Sequence, residues 1–404
     1  MRSAVVVGSG IGGLAVAGAL VHSGWQVTLL ERHERIRPGR AAVLLWPNGV
    51  RALRALALDD GLDAIAAPVR RDGLRRPDGR WLRRASADEG PGGAAAPLVI
   101  HREDLHDAFV AGLGEKLDIR TGVTVRSVRP VGAERPAVSD GETTWEADLV
   151  VAADGARSAV RQRLAPAARL ISGGYAAWRA VIPWYRASDL PDVTAAGETL
   201  GVGHRFMHAS LGERRSAGTS SRGGIYWAAT APGASRPEPL DAQLTLLRRW
   251  FAGWHEPIGE LLAVTEPANL VQETIAELRP LPESLVFPSG HGGYVLVGDA
   301  AHAVADHLDQ GTCLALEDAA TLLALVRAAE PGPALVAALH GYQRSRHPRV
   351  ALLARQSHRL GTVLQAGGRL GTRAQELTLA TVAPRLLAAA ATTAAAWEPP
   401  PQPS

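Results

Sequence analysis

A glycine-rich turn near the amino terminus constrains the fold more than any other feature of this sequence. Residues 4–7 form a short apolar run rich in β-branched side chains, which predicts a buried parallel strand. An apolar helical pattern over residues 14–20 follows it. Between them Gly8, Gly10 and Gly13 match G-x-G-x-x-G, which allows a tight turn, approach of a pyrophosphate and close helix–strand packing. This stretch therefore predicts a Rossmann-like unit that holds phosphates at a helix N-terminus.

The next strand ends on an acidic residue at the position that such a unit requires. Residues 27–30 predict the strand, and Glu31 lies 18 positions after Gly13. A carboxylate there can accept hydrogen bonds from a ribose diol. The alternative is a glycine turn that binds nothing, and the strand, helix and acid in register disfavour it. The sequence predicts that the chain binds an adenine dinucleotide.

Composition excludes several classes of protein. The 404 residues suffice for two domains, and 46% hydrophobic with 21% charged residues is ordinary for a globular chain. The net charge is +3 with cations and acids interspersed, which argues against nucleic-acid binding, and Lys116 is the only lysine. Cys313 is the only cysteine, which excludes an intrachain disulfide and a cysteine-based metal cluster, so no metal is expected.

No targeting or membrane segment is predicted. The apolar start of the chain resembles a signal peptide, but glycines interrupt it and already have a better role. No apolar stretch is expected to reach the ~18 residues of a membrane span, and the alanine-rich stretch 386–397 reads as a packed terminal helix. A cytoplasmic location follows as an expectation.

Two later strands are predicted to end at the same place as the first. Residues 149–152 lead into Asp154 and Gly155, and residues 294–297 lead into Gly298 and Asp299. In an open α/β sheet, ligands bind beyond the carboxyl ends of the strands, so we expect these three ends to form one site. Between about 170 and 229 helical periodicity is lost and aromatic, alternating segments appear, which predicts a β-rich second domain.

Three motifs in this order resemble the single-component FAD-dependent aromatic monooxygenases of the para-hydroxybenzoate hydroxylase type. The first is the glycine motif with Glu31 and Arg32, and the second is residues 153–161 around Asp154. The third runs from Gly298-Asp299-Ala300-Ala301-His302 to Asp309-Gln310-Gly311-Thr312 and Glu317-Asp318. The resemblance spans roughly residues 1–365.

The resemblance implies a fold of the α/β (α+β) class. It has a Rossmann-like FAD-binding domain split in sequence, a β-rich substrate domain and a C-terminal helical segment. The expected boundaries are 1–67, 98–169 and 280–332 for the FAD-binding domain, 68–97 and 170–279 for the substrate domain, 333–397 for the C-terminal helices, and 398–404 for a disordered tail.

The resemblance also implies a set of cofactor contacts. Asp299 is expected on the ribityl hydroxyls, whereas Asp154 either assists the nicotinamide cofactor or only braces its turn. A helix N-terminus at residues 310–312 would stabilise the negative charge of reduced flavin. The full predicted set is Gly8, Gly10, Ile11, Gly12, Gly13, Glu31, Arg32, Arg40, Arg102, Val125, Asp154, Gly298, Asp299, Gln310, Gly311 and Thr312. The predicted substrate pocket comprises Trp46, Trp178, His204, Tyr226 and Trp227.

One loop departs from the family pattern. The family usually has a proline four residues after the histidine of G-D-A-A-H and then G-Q-G, but Asp306 and Asp309 replace the proline and the first glycine. Both acids could point to solvent or cap the next helix. Alternatively, Asp306 or His307 acts on the substrate as an acid or base, which makes these two the candidate catalytic residues. In a third interpretation oxygen activation is weakened and the flavin serves another purpose.

The resemblance implies an enzyme that takes electrons from NADPH or NADH and oxygenates an aromatic or polycyclic small molecule with O2 through a flavin C4a-hydroperoxide. A bacterial enzyme of secondary metabolism, monomeric or homodimeric, is expected. The alternative is a non-redox cyclase or pericyclase with FAD as scaffold. A flavin-dependent halogenase is disfavoured because its second tryptophan and catalytic lysine are missing, and a regulatory protein because an aromatic-rich domain suggests a small-molecule pocket.

Overall fold

The computed structural model describes residues 1–85, 96–113, 117–187, 190, 193, 195–212, 223–365 and 372–401. The strands are β1 (Ser3–Val7), β2 (Gln26–Glu31), β3 (Ala42–Leu45), β4 (Ala66–Pro68), β5 (Arg70–Arg75), β6 (Trp81–Arg84), β7 (Leu98–His101), β8 (Leu117–Thr121), β9 (Ser127–Val128), β10 (Ala137–Ser139), β11 (Thr144–Glu146), β12 (Leu149–Ala152), β13 (Leu170–Pro183), β14 (Ala195–Leu200), β15 (Arg205–Ser210), β16 (Gly224–Pro232), β17 (Val271–Leu278), β18 (Val286–Pro288) and β19 (Gly293–Leu296).

The helices alternate with these strands in the first part of the chain and dominate its end. They are α1 (Ile11–His22), α2 (Pro47–Ala55), α3 (Leu62–Ile65), α4 (Arg102–Gly112), α5 (Ala159–Leu164), α6 (Trp184–Ala187), α7 (Leu240–Trp250), α8 (Ile258–Val264), α9 (Asp299–His302), α10 (Gly311–Val326), α11 (Pro333–Gln365), α12 (Thr372–Thr381) and α13 (Ala383–Ala395). A 3-10 turn occupies Pro267–Asn269.

A six-stranded sheet carries the Rossmann-like unit predicted from the sequence. Its order is β18-β19-β12-β1-β2-β8, and all pairs are parallel except β18 with β19. Val5, Val6 and Leu29 are almost fully buried because helices or other strands cover both faces. The parallel arrangement places the carboxyl ends of β1, β12 and β19 at one edge, so the predicted meeting of these three strand ends is confirmed.

A seven-stranded sheet forms most of the aromatic-rich region. Its order is β17-β13-β16-β15-β14-β5-β6, and it is antiparallel apart from β14 with β5. The hairpin β5–β6 joins it although more than a hundred residues separate β5 from β14. Sheet membership follows the predicted division into 68–97 plus 170–279, while the domain boundaries themselves stay a prediction.

The two faces of the seven-stranded sheet differ. Residues that are paired across antiparallel strands point to the same face, so Arg179, Arg205 and Tyr226 share one face. Trp178 and Trp227 share the other face, where they pack with α7 and α8 in a separate hydrophobic cluster. The first face is directed toward the loop between α9 and α10, because Arg179 and Arg205 both contact that loop.

The carboxyl-terminal helices depart from two expectations. Leu377–Ala395 is 19 residues long and apolar enough to cross a membrane by length and composition, with 28% of the window buried, so the expectation that no stretch reaches this length is wrong. The first residues of the expected tail, 398–400, contact the rest of the chain, because Glu398 lies 3.3 Å from Arg51 and Pro399 and Pro400 line a small cleft. Residues 402–404 and Lys116 lie outside the described residues.

Candidate active site

A cavity of about 330 Å³ lies at the carboxyl ends of β1, β2 and β12. Eight of the predicted cofactor residues line it: Gly8, Gly10, Ile11, Glu31, Arg32, Arg102, Val125 and Asp154. A volume of this size is in the range of small-molecule sites. The cavity therefore stands where the sequence predicted the dinucleotide.

The three motif glycines have three different surroundings. Gly8 has φ +102°, and a Cβ there would lie 2.5 Å from the carbonyl oxygen of Ala153. A Cβ at Gly13 would overlap the carbonyl oxygen of Gly8, which explains why the helix can pack so close to the strand. A Cβ at Gly10 would meet no protein atom within 4 Å, and its φ is −67°. Of the three glycines, only Gly10 is required neither by its φ nor by close packing against other protein atoms. The space beside it is part of the cavity.

Glu31 is held in place by the glycine turn itself. Its carboxylate accepts hydrogen bonds from the Ser9 hydroxyl at 2.6 Å, the Ser9 backbone N–H at 3.0 Å and the His33 backbone N–H at 2.9 Å. Burial alone would raise the pKa of Glu31, but these hydrogen bonds outweigh it and hold the pKa below its usual value. The carboxylate is thus ionised and fixed at the edge of the cavity, where it can accept hydrogen bonds from a diol.

Asp154 has one oxygen engaged and one directed to no protein partner. Its Oδ2 accepts hydrogen bonds from the backbone N–H groups of Ala159 and Val160, at 2.8 and 3.3 Å, at the start of α5. Its Oδ1 is buried without a hydrogen bond among the described residues. Burial raises the pKa of Asp154 despite hydrogen bonds from the Ser158 side chain and the turn. The bracing role is present in the structure, and Oδ1 lacks a partner that a cofactor in the cavity could supply.

His106 was missed in the sequence. It follows the predicted Arg102 by one helical turn on α4, lines the same cavity and is 6% exposed. Neither ring nitrogen has a hydrogen bond among the described residues, and Nδ1 lies 3.7 Å from a carboxylate oxygen of Asp107. A buried histidine in this condition needs a partner from a ligand or water. The helical spacing from Arg102 was the available signal.

The G-D segment and the start of α10 lie beside the glycine turn. A Cβ at Gly12 and a Cβ at Gly298 would each lie 3.2 Å from the Cβ of Ala315 on α10. A Cβ at Gly311 would lie 4.0 Å from Oδ1 of Asp299, and Asp299 is exposed at the N-terminus of α9. The structure thus brings Gly12, Gly298, Asp299 and the 310–312 helix start together. These residues do not line the 330 Å³ cavity but continue from it toward the seven-stranded sheet.

Arg102 and Arg40, which are both predicted to contact the cofactor, have different surroundings. A Cβ at Gly39 would lie 2.6 Å from Nε of Arg102, so Arg102 passes over this turn as it reaches the cavity. Arg40, next in sequence, is exposed and donates a weak hydrogen bond to the carbonyl of Ala268 at 3.4 Å. Arg40 does not line the 330 Å³ cavity, and its contact with the cofactor stays a prediction.

A buried polar network behind the 310–312 helix start was not foreseen. His302 and Arg346 both bind the carboxylate of Asp318, at 2.6 and 2.7 Å, and Arg346 also binds Glu317. Glu317 accepts a hydrogen bond from Asn48 at 2.6 Å, and Asn48 donates another to Gln310 at 3.0 Å. The ion pairs outweigh burial and lower the pKa of Asp318 to about 2. The network fixes Gln310, and its members come from four separated segments, which no single motif reveals.

The two acids that depart from the family pattern are both paired with arginines of the seven-stranded sheet. Asp306 pairs with Arg179 of β13, which also pairs with Glu273. Asp309 accepts a hydrogen bond from Arg205 at 3.0 Å, and Arg205 also binds Glu198 at 2.8 Å. Both acids are partly buried and ion-paired, and neither caps α10, so the interpretation that they only point to solvent or cap the next helix is wrong.

Asp309 also has an unusual backbone. Its φ is +51°, in the left-handed region that favours glycine. Asp309 thus adopts a conformation that glycine would adopt without strain, and aspartate is among the residues that tolerate it best. We infer that the carboxylate, rather than the backbone, is what the substitution adds.

The histidine between these acids is packed rather than solvated. His307 is 3% exposed, stacks on Tyr175 with ring centroids 4.7 Å apart, and contacts Gly361 of α11. Burial, with a contribution from Arg205, lowers the pKa of His307 to about 3. For Asp306, burial outweighs the pairing with Arg179 and raises the pKa to about 6. His307 is therefore neutral in the folded chain. Of these two residues, Asp306 has the pKa that is closer to neutral pH.

The predicted aromatic pocket divides between the two faces of the sheet. Trp46 lines a cavity of about 40 Å³ with His307, Asp309 and Gln310, and Tyr226 lies on the same face as Arg179. Trp178 and Trp227 face away, and their ring N–H groups bind Gln243 and Thr265 at 2.9 Å. His204 lies with the aromatic rings of α7 and its end. The prediction is therefore corrected at Trp178 and Trp227, because strand alternation turns these side chains toward the α7–α8 core, and at His204, which precedes β15 and packs on Trp250 and Phe251.

This arrangement defines a dinucleotide-binding flavoprotein with a second sheet facing the flavin end of the site. Among the described residues no cluster of His, Cys, Asp and Glu side chains could hold a metal ion. The open space beside Gly10, the Asp154 Oδ1 without a partner among the described residues, and the exposed Asp299 fit the phosphates and hydroxyls of FAD.

Comparisons with known proteins agree with this class. The family described as "FAD binding domain" matches residues 1–357. The chain is 31% identical over 366 residues to "Aurachin C monooxygenase/isomerase" of Stigmatella aurantiaca, covering 89% of each chain. It is also 31% identical over 367 residues to "2-heptyl-3-hydroxy-4(1H)-quinolone synthase" of Pseudomonas aeruginosa, again with 89% of each chain covered.

A solved structure shows the same fold with its cofactor. The structure of Klebsiella pneumoniae HpxO complexed with FAD and uric acid superposes with a TM-score of 0.78 and 25% identity, and the match covers 97% of this chain and 96% of that one. The chain belongs to the FAD-binding family of aromatic monooxygenases. It is an FAD-dependent oxidoreductase with NAD(P)H as reductant, and this function is supported over the cyclase and halogenase alternatives.

Proposed function

We propose that this chain hydroxylates a small aromatic molecule that is bound between the 306–310 loop and the Arg179–Tyr226 face of the seven-stranded sheet. FAD supplies electron transfer from NAD(P)H and the activation of O2. The observation that carries this proposal is the juxtaposition of the Gly10 cavity, Asp299 and the 310–312 helix start with a second, polar sheet face.

The cofactor roles belong to the same proposal. Gly10 gives the pyrophosphate its place, Glu31 accepts hydrogen bonds from the adenosine ribose, and Asp299 accepts hydrogen bonds from the ribityl chain. The backbone N–H groups at the start of α10 stabilise negative charge on the flavin ring. Asn48 supports this helix start from behind through its hydrogen bond to Gln310.

Asp306, rather than His307, is the group that we assign to proton exchange with the substrate. A general base works best with a pKa near the working pH, and the pKa of Asp306 is raised to about 6 whereas that of His307 is lowered to about 3. Because Arg179 holds the Asp306 carboxylate, the group is oriented as well as ionised. His307 then positions the loop through its stacking on Tyr175.

The pairing of the two acids supports hydroxylation over a redox-inactive role. A free carboxylate near the flavin would oppose its reduction, since reduced flavin is an anion. Arg205 and Arg179 neutralise Asp309 and Asp306 and bind them to the sheet. The departure from the family pattern therefore does not require that oxygen activation be lost.

The test is anaerobic mixing of the FAD-loaded protein with NADH or NADPH, with and without candidate aromatics, followed by admission of oxygen. We expect substrate to accelerate flavin reduction and a hydroxylated product to form only after oxygen enters. Product that forms equally well without oxygen or reductant would contradict the proposal. A cytoplasmic location, where NAD(P)H is supplied, and a monomeric or homodimeric state complete it, and cell fractionation and size-exclusion chromatography test them.

A further inference from the structure

His106 is a buried side chain at the cofactor cavity whose two polar atoms both lack a partner in the part of the chain that the structure describes. It is 6% exposed, and neither Nδ1 nor Nε2 makes a hydrogen bond. A carboxylate oxygen of Asp107 lies 3.7 Å from Nδ1, which is beyond hydrogen-bond distance. Leaving a buried donor and a buried acceptor unpaired is unfavourable, so the ring requires a partner from a bound molecule or from water.

The helix that carries His106 is fixed by its packing. α4 lies against α1, since a Cβ at Gly18 would lie 3.3 Å from Cδ2 of Leu113, the residue that follows α4. Leu105 and Phe109 of α4 are 1% and 2% exposed and belong to the main hydrophobic core. These packed side chains hold α4 in place, so the imidazole stays at the cavity wall and does not turn out to solvent.

The surroundings of His106 in the cavity are positively charged. His106 and Arg102 are four positions apart, which places them on one face of α4, and both line the 330 Å³ cavity. Arg37, Arg102 and Arg157, all at this cavity, make no hydrogen bond or ion pair with any described residue. The cavity thus presents unpaired guanidinium groups beside an unpaired imidazole, which suits a ligand that carries phosphates together with neutral polar groups.

The cavity matches one half of FAD. Gly10, Glu31 and residues 123–125 line it, whereas Asp299 and the 310–312 helix start lie outside it. The first group includes the residues that we assign to the pyrophosphate and the adenosine ribose, and the second group those that we assign to the ribityl chain and the flavin ring. A cofactor atom that reaches His106 therefore belongs to the adenosine diphosphate half.

Resting on the cofactor roles within the proposed function, we propose that His106 is a further FAD-binding residue, which forms a hydrogen bond with the adenosine diphosphate half of the cofactor. FAD supplies the partner that the imidazole lacks within the described chain. One ring nitrogen donates and the other accepts, so a phosphate oxygen, a ribose hydroxyl or an adenine nitrogen can each serve as that partner. His106 holds the cofactor and takes no part in the chemistry at the flavin ring.

Three variants of the full chain test this role. His106→Leu removes both ring nitrogens at similar volume, whereas His106→Asn keeps polar atoms near the place of Nδ1 and His106→Gln keeps them near the place of Nε2. The apoproteins are titrated with FAD, and ADP is then titrated as a competitor of FAD. We expect His106→Leu to weaken FAD and ADP by the same factor, tenfold or more. We expect the Asn or the Gln variant to bind FAD within threefold of the parent, and the one that does so identifies the ring nitrogen that contacts the cofactor.

Thermal unfolding with and without FAD separates this role from a packing role. Because the imidazole has no protein partner among the described residues, the His106→Leu apoprotein should unfold at the same temperature as the parent apoprotein or at a higher one. Its FAD-loaded form should unfold at a lower temperature than the FAD-loaded parent. His22→Leu is the control, since Nδ1 of His22 donates to the carbonyl of Gly18 at 2.8 Å at the far end of α1. It should leave the affinities for FAD and ADP unchanged.

Unchanged FAD affinity in His106→Leu overturns the proposal. Weaker binding of FAD with unchanged binding of ADP also overturns it, because His106 would then not face the adenosine half. So does a lower unfolding temperature of the apoprotein without recovery of FAD affinity in either polar variant, which would make His106 a packing residue. No turnover is measured, so the outcomes remain separate: a parent chain that binds no FAD contradicts the proposed function, whereas a parent and a His106→Leu variant that bind FAD equally well contradict only the role of His106.

Discussion

The cofactor cavity and the face of the seven-stranded sheet that carries Arg179 and Arg205, to which we assign the substrate and which we call the substrate wall, are formed by different kinds of groups. The cavity is shaped mainly by backbone: Gly8 and Gly13 allow close approaches, Gly10 leaves space, and the first residue of α1, Ile11, lies at the cavity. The substrate wall is shaped by long side chains that reach across the molecule in pairs, such as Arg205 with Asp309 and Arg179 with Asp306. A backbone requirement constrains a residue at one position, whereas a charge pair constrains two positions jointly.

The largest effect on stability is expected from a substitution in the substrate wall, where arginine–carboxylate pairs are buried. Arg205→Gln leaves Glu198 and Asp309 without their cation, and breaking a buried pair by removing one partner costs about 3–5 kcal/mol of the free energy of unfolding. Urea unfolding followed by circular dichroism measures this loss.

The control for this variant is Arg120→Gln, which removes an exposed pair with Asp118 at 2.9 Å. Exposed pairs contribute roughly 0–1 kcal/mol, so the control should unfold almost as the parent does. Similar losses in the two variants would mean that the wall does not depend on its buried pairing.

The second prediction concerns the backbone-built cavity. Gly10→Ala meets no protein atom within 4 Å and needs no positive φ, so the apoprotein should keep its stability. The added methyl group would occupy the place of the pyrophosphate, and we expect FAD affinity to fall by about a hundredfold, or ~2.7 kcal/mol. Fluorescence titration of apoprotein with FAD measures the affinity.

Gly112→Ala is the matched control, because a Cβ at Gly112 also meets nothing within 4 Å and lies at the exposed end of α4. We expect it to bind FAD like the parent. If Gly10→Ala retains full FAD affinity, the glycine motif does not hold the pyrophosphate.

The third prediction compares Asp299 and Asp154, the two acidic residues at strand ends, which should differ in their effect on FAD binding. Asp299→Ala removes an exposed carboxylate at the start of α9 and should weaken FAD binding about tenfold, which corresponds to ~1.4 kcal/mol. Asp154→Ala removes the carboxylate that accepts hydrogen bonds from the first two N–H groups of α5, so we expect a loss of about 1 kcal/mol in the free energy of unfolding and a smaller effect on FAD. FAD titration and thermal unfolding of both variants give the comparison, and the reverse order would show that the roles of the two acids are exchanged.

The difference between the two regions also explains how far the sequence could be interpreted. Gly8, Gly10, Gly13 and Glu31 are close in sequence and each meets a local requirement, so the cavity that Gly8, Gly10 and Glu31 line, and the close packing at Gly13, were predictable. The end of β19 with Asp299 was predictable because a buried strand followed by Gly-Asp has a fixed place in such a sheet. Local sequence carries this kind of information.

Pairings across distant segments were not predictable in the same way. Asp309 stood out in the sequence, but its partner Arg205 lies 104 positions earlier, on a strand whose register decides which face it presents. Trp178 and Trp227 were misplaced for the same reason, since a shift of one residue turns a side chain to the other face. His106 was missed because its buried, unpaired ring becomes evident only with the cavity around it.

The last effect, similar in size to the third, concerns His307, which joins the 306–310 loop to α11. Its pKa is lowered to about 3 in the folded chain from an unfolded value near 6.5, because burial disfavours the charged ring. Between these values the unfolded state binds a proton that the folded state does not, so stability rises with pH in this window and falls as pH is lowered. His208, with a pKa lowered by burial to about 4, contributes in the same direction.

Between about pH 7.5 and pH 5.5 each such histidine should remove ~1.4 kcal/mol from the free energy of unfolding. His307→Gln should therefore lose about that much less stability than the parent over the same change in pH, even if it is less stable at both. His340→Gln, exposed on α11, is the control and should lose as much as the parent. Urea unfolding of the FAD-loaded proteins at the two pH values measures the difference. An equal loss in His307→Gln and the parent would show that His307 is already protonated or solvated in the folded chain, and the packed substrate wall would then be looser than its contacts with Tyr175 and Gly361 imply.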